Sequence, residues 1–303
     1  MPTTTPEPTG QPAPEEALTY LLELLELEPL EVNLFRGSNP EAWAAGRVFG
    51  GLVAAQGLRA AINTVEAPHL VHSFHSYFIR PGQMGPPIIY SVDRIRDGRS
   101  FTTRRVTAIQ HGAAIFVMDA SFHRDGEEGI DYQLPVASDA PGPDSPVGLS
   151  ASAGPFGAGM PRPPMFLPFE MRELGPTEPE ADGTYRSTRR VWIRTRAPLP
   201  ADPSVHACVL TFVSDLAVIL AVRPPSAGSG MDGFMGASLD HAVWFHRAVR
   251  VDDWLLYDLH AVSNFNARGL ARGLLHDRSG RLVASMTQEC LIRTAAPAPG
   301  TSA

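Results

Sequence analysis

Only two cysteines occur in 303 residues, Cys208 and Cys290, and both lie in apolar stretches. No Cys/His group has zinc spacing, so buried thiols are expected rather than a disulfide framework or a structural metal. The histidines offer no alternative. His72 and His75 stand three apart and His241 and His246 five apart, so in strands each pair points to opposite faces. Long apolar runs are also missing. Residues 207–222 come nearest, but they are too few for a membrane span and are interrupted by Asp215. Residues 1–14 are rich in Pro, Thr and Glu and lack the basic-then-apolar order of a signal peptide. Residues 295–303 form a similar tail without a peroxisomal tripeptide. A cytoplasmic protein is therefore expected. Positive charge is scarce as well, and the formal net charge of −7 argues against nucleic-acid binding. There is no P-loop, and no Gly-x-Ser-x-Gly elbow of a serine hydrolase.

What is present describes a globular protein with ample core: 44% of residues are hydrophobic against 19% charged, enough for two domains of ordinary size. Arginines cluster at Arg94, Arg96, Arg99, Arg104 and Arg105, and again at Arg186, Arg189, Arg190, Arg194 and Arg196. Such patches can hold an anionic small molecule although the whole is acidic; taken singly, each arginine reads better as part of a solvated sheet face.

Asp215 stands out. It is the only charge in residues 207–222, and at helical spacing its neighbours Thr211, Phe212, Val218 and Ile219 are mostly apolar. A helix with no solvated face is buried, and a lone carboxylate in it must be paired, protonated or used. A general base is one reading, and an acid hydrogen-bonded to backbone or a nearby arginine is the other.

The chain runs twice through one order of elements. After an amphipathic helix at residues 15–27, the first half reads as a strand (30–35), a small-residue helix (48–61) opened by Gly50 and Gly51, and four strands (70–80, 88–96, 101–110, 114–123). The second half reads as a strand (185–196), the Asp215 helix, and strands at 238–247, 254–263, 267–276 and 281–293. Short turns such as Asp97-Gly98 and His111-Gly112 demand an antiparallel meander. Residues 135–164, dense in Pro, Gly, Ala and Ser, have the composition of a linker between units 1–134 and 165–303. The fold expected is α+β, a double hotdog of two tandem helix-wrapped antiparallel sheets.

Several segments carry a family resemblance. Phe35-Arg36-Gly37, Val48-Phe49-Gly50-Gly51, His72-Ser73-Phe74-His75 with Arg80-Pro81-Gly82, and Arg96-Asp97-Gly98-Arg99-Ser100-Phe101 make up the first set. Ser214-Asp215-Leu216, Leu239-Asp240-His241, Trp244-Phe245-His246-Arg247, Ala267-Arg268-Gly269 and Thr287-Gln288-Glu289 make up the second. In this order they are similar to the acyl-CoA thioesterase II family. The resemblance implies cofactor-free hydrolysis of fatty acyl-CoA, in which an acid, a hydroxyl and an amide activate water. It puts Asp215, Ser238 and Gln288 in those roles, with serine standing where many relatives carry threonine. It also implies a homo-oligomer.

Taken alone, Ser238 would read as a local cap and Gln288 as a surface residue. Asp240, two after Ser238, is at most a supporting acid. Substrate contacts are expected at Gly50, Gly51, His72, Arg104 and Arg105. The glycines also suit close helix packing, and His72 also suits a structural hydrogen bond. Two other functions compete: a non-catalytic acyl-CoA-binding protein, and a hotdog enoyl-CoA hydratase. The hydratase ranks low because position 220, where its histidine belongs, is Leu220.

Overall fold

The computed structural model describes residues 12–40, 46–133, 136, 140–146, 149–151, 162–185, 188–223 and 234–294. Helix α1 (Pro14–Leu25) turns Ala17, Leu18, Leu21, Leu24 and Leu25 inward. Where one strand was expected a hairpin forms, β1 (Glu28–Glu31) and β2 (Leu34–Gly37), because Asn33 adopts φ 61° and reverses the chain. Helix α2 (Gly50–Ile62) follows. Its small residues let Gly51 through Leu58, Ala60 and Ala61 all be buried. Strands β3 (His69–Phe78), β4 (Ile88–Asp97), β5 (Phe101–Gln110) and β6 (Ala113–Arg124) then form the meander.

The second half adds β7 (Ser150–Ala151), β8 (Phe169–Glu173) and β9 (Arg189–Thr195). Helix α3 (Pro203–Ser214) and the short α4 (Val218–Ala221) come next. The set closes with β10 (Phe234–Ser238), β11 (Asp240–Phe245), β12 (Leu255–Phe265), β13 (Arg268–Asp277) and β14 (Leu282–Thr294). The expected strand at 238–247 is thus displaced and broken at Leu239. There the backbone N–H donates to Glu289 O while the carbonyl accepts from Phe78 N.

One sheet joins both halves, in the order β1-β2-β4-β5-β6-β3-β11-β14-β13-β12-β9-β8-β7, with β10 also on β14. The order of β2-β4-β5-β6-β3 is repeated in reverse as β11-β14-β13-β12-β9, so the halves are related by a pseudo-two-fold at the antiparallel β3–β11 pair. Each half curls round its helix, and the two helices pack on each other inside. Contact is close enough that a Cβ on Gly51 would lie 2.6 Å from the Phe212 carbonyl oxygen. Most of the linker at 135–164 lies outside the described residues. Its described parts lean on the second half: Pro141 O accepts from Trp192 Nε1 at 2.9 Å, and β7 pairs with β8.

Candidate active site

Helix α3 starts cleanly. Asp202 accepts the Ser204 N–H at 2.8 Å, and Pro203 occupies the first turn. It ends one residue before Asp215, which is a correction: the sequence reads residues 207–222 as one helix, but Asp215 is the C-cap and Ala217 turns the chain at φ 65° before α4. The break puts the carboxylate at the negative end of a buried helix, a position that disfavours its charge. Burial raises its pKa from 3.8 to about 6, against hydrogen bonds from Gln288, the Gly51 amide and Ser238, and the charge of Arg47. The Gly51 amide belongs to the first turn of α2, where N–H groups lack helical acceptors and the helix end is positive. The start of α2 therefore steadies the charge that the end of α3 opposes.

Two strands complete the cluster. Gln288, fully buried on β14, donates from Nε2 to Asp215 Oδ1 at 2.9 Å and to Ser238 Oγ at 2.8 Å. Ser238, the last residue of β10, reaches Asp215 Oδ1 at 3.4 Å. Acid, hydroxyl and amide thus converge from three elements. Gly50 stands beside them, where a Cβ would come within 2.9 Å of Asp215 Oδ2 and of the Phe78 ring. Asp240, the neighbouring acid, accepts the Glu289 backbone N–H at 2.6 Å and so fastens β11 to β14. Tyr257 supports the helix end by donating to Ser214 O at 2.5 Å.

The cluster opens into a cavity of about 430 Å³. Asp215, Ser238 and Gly50 line it, with apolar walls from Val53, Phe78, Ile115, Phe116, Ile219 and Leu220. Arg47 and Arg80 line it too. Neither belongs to an arginine cluster of the sequence; Gly46-Arg47 and Arg80-Pro81-Gly82 mark both as loop cations. The chain has no lysine, all 25 of its Lys and Arg positions being arginine, so every fixed positive charge on a side chain is a guanidinium.

Three expected contacts are corrected. Arg104 is buried and occupied: it donates to Thr64 Oγ1 at 2.8 Å and to Thr64 O at 3.0 Å, and it pairs with Asp97. Arg105 points out of the sheet and forms a double hydrogen bond with Asp119 at 2.8 Å. The two are neighbours on β5, and alternation sends them to opposite faces. His72 bonds Ser121 Oγ at 2.8 Å and lines a different cavity. Arg186, from the second cluster, lies outside the described residues. Among the described residues no helix is long and apolar enough to cross a membrane, and no group of three His, Cys, Asp or Glu could hold a metal ion. Cys208 and Cys290 are both buried free thiols.

Residues 169–291 match the family described as acyl-CoA thioesterase, and residues 39–123 match its N-terminal domain. An acyl-CoA thioesterase 2 from Haemophilus influenzae is 32% identical, with 92% of this chain and 98% of that protein covered. An acyl-coenzyme A thioesterase 8 from Mus musculus is 33% identical over 89% of this chain and 88% of its own. Among solved structures, the acyl-CoA thioesterase II TesB2 from Mycobacterium marinum superposes with a TM-score of 0.76 at 38% identity, covering 91% of this chain and 99% of that one. A protein from Alicyclobacillus acidocaldarius described as having a hot dog fold, 19% identical and with a TM-score of 0.71 over 92% of this chain and 99% of that one, shares the fold.

Proposed function

This chain belongs to the acyl-CoA thioesterase family, and from that premise we propose that Asp215, Ser238 and Gln288 activate the water that hydrolyses a fatty acyl-CoA. The observation that carries this reading is the convergence of the Ser238 hydroxyl and the Gln288 amide on one oxygen of Asp215 at the wall of an apolar cavity. The carboxylate takes a proton from water, whose oxygen adds to the thioester carbon. Ser238 holds the water in line for that attack, and Gln288 fixes the Ser238 hydroxyl and the carboxylate in place. Gly50 N–H, in the first turn of α2, has no acceptor within the helix and is suited to the developing oxyanion. The C–S bond then breaks, and the proton on Asp215 passes to the departing CoA thiolate. Free CoA and a carboxylic acid leave.

The apolar walls suit an acyl chain, and Arg80, exposed at the cavity, suits the phosphates of CoA. Arg80→Ala is expected to raise KM about tenfold, the loss of one charge-assisted hydrogen bond. Arg105→Ala should leave KM unchanged. Arg104→Met should leave KM unchanged too but lower the melting temperature, since it strands Thr64 and Asp97. Equal KM effects at positions 80 and 105 would count against this reading of the cavity mouth. We assign the enzyme to the cytoplasm, where two buried thiols stay reduced, and expect a homo-oligomer. The second of these rests on the resemblance to the family.

The direct test is release of free thiol from acyl-CoAs of graded chain length. Turnover with a preference among lengths is the expected result. Tight binding without release would instead favour a non-catalytic binder. A hydratase has no support at position 220, where apolar Leu220 lines the cavity.

A further inference from the structure

Strand β10 ends on Ser238, yet among the described strands it has a partner on one side only, β14. Gly236 pairs with Ile292, whose N–H donates to Ala267 O on the far side of β14. In an antiparallel ladder the backbone groups of such a pair point away from each other, so the Gly236 carbonyl faces the open edge. Arg47 meets it there, donating from Nη2 at 2.6 Å. Gly236 and the residues after it, Ala237 and Ser238, line the catalytic cavity together with Arg47. A side chain of the first half thus grips a strand of the second, two residues before the hydroxyl that reaches Asp215.

The grip starts from fixed backbone. Val48, next to Arg47, is buried and donates its N–H to Gly82 O at 3.0 Å, and α2 begins at Gly50. Residues 47–51 therefore reach both elements of the site: Arg47 holds β10, and the Gly51 amide holds Asp215. Arg47 also brings charge, which favours the ionised form of Asp215. Tyr257 from β12 and Cys290 from β14 face the same carboxyl. Burial pushes the Tyr257 phenol well above its usual 10 and the Cys290 thiol up to about 12, so both are neutral near pH 7. Arg80 lines the same cavity from the turn after β3.

We propose that Arg47 is a positioning residue: through the Gly236 carbonyl it fixes the open edge of β10, which keeps the Ser238 hydroxyl against Asp215 and Gln288, and it sets a fixed positive charge in the cavity that Asp215 lines. Without it the last turn of backbone before Ser238 is held from one side only. A shift of about 1 Å there is enough to cost about 100-fold in rate. This inference rests on the catalytic reading of Asp215, Ser238 and Gln288.

Steady-state kinetics across pH, with melting curves, test it. Arg47→Met removes donor and charge, and is expected to lower kcat about 10- to 100-fold with KM little changed. Its acid limb of kcat/KM should move to higher pH, because a carboxyl that loses a nearby cation gives up its proton later. Arg47→Lys keeps the charge and a donor, so its limb should stay put and part of kcat should return. In a Ser238→Ala background, Arg47→Met should cost little further kcat, since the grip acts through that hydroxyl, yet the limb should still move. A raised KM with full kcat in Arg47→Met would make Arg47 a substrate contact and overturn the proposal. An unmoved limb, or losses additive with Ser238→Ala, would overturn it too. Should the Met variant not fold, Arg47→Lys decides: a displaced limb or a raised KM overturns the proposal, and a wild-type limb and KM with reduced kcat uphold it. An active Asp215→Asn enzyme would remove the catalytic reading itself. An inactive one beside an Arg47→Met enzyme with full kcat removes only the role of Arg47.

Discussion

In Asp215→Asn, thioester hydrolysis is expected to fall by about 100- to 10,000-fold, the usual worth of a general base, while the melting temperature rises. Both effects come from one displaced pKa. Burial lifts the Asp215 carboxyl from 3.8 to about 6. The folded state thus holds this proton more tightly than the unfolded chain does. The contribution of Asp215 is therefore most favourable below pH 3.8 and is lost as pH rises through about 6. By neutral pH the ionised carboxylate costs roughly 3 kcal/mol at most, from about 1.4 kcal/mol per pKa unit. Asparagine removes the charge, keeps an acceptor for the Gly51 amide and fills the same space. Activity and stability are then opposed at one atom, as at other sites where function needs a strained group.

The same displacement sets the pH profile. In the wild type, kcat/KM should climb with pH through about 6 and level off above it, as the base loses its proton. An Asp215→Asn protein that melts lower at pH 7.5 would mean that the hydrogen bonds to the carboxylate outweigh its desolvation. Full activity in that variant would move the base elsewhere.

How much of this was legible beforehand differs residue by residue. Asp215 could be found because one charge in an apolar run has few explanations. The meander was readable from strand alternation and short turns, and the repeated order of elements already implied two wrapped helices. Ser238 and Gln288 had no local signal, since a serine beside a strand and a glutamine near the last strand are ordinary. Only the family resemblance singled them out. The break after Ser214 was hidden for a different reason. Asp215-Leu216-Ala217 contains no Gly or Pro, and the left-handed Ala217 at φ 65° is imposed by tertiary packing. The arginine clusters misled because density along a strand says nothing about faces. Arg104 turned in to Thr64 and Arg105 out to Asp119, while isolated Arg47 and Arg80 reached the cavity.

Gly51→Ala is expected to damage the protein more than any other single-methyl change in α2. The added Cβ would meet the Phe212 carbonyl oxygen at 2.6 Å and the Phe49 ring at 2.4 Å. A ring can turn, but the carbonyl is backbone of the facing helix, so α2 and α3 must part. Overpacking of this kind costs about 1–3 kcal/mol or more, beyond the roughly 1 kcal/mol that alanine returns as a better helix former. Gly57→Ala in the same helix provides the control. Its Cβ first meets the Phe116 ring at 3.2 Å, which can give way, so stability should stay within about 1 kcal/mol of wild type. Catalysis should register the difference too. Parting the helices draws the Gly51 amide away from Asp215, removing one of the bonds that hold the carboxyl down to about 6. The acid limb of kcat/KM should then move to higher pH in Gly51→Ala and stay put in Gly57→Ala. Urea unfolding of both variants, paired with their pH–rate profiles, measures the two effects separately. If Gly51→Ala matched Gly57→Ala in both, the start of α2 would be ordinary packing and the charge on Asp215 would be steadied by Gln288, Ser238 and Arg47.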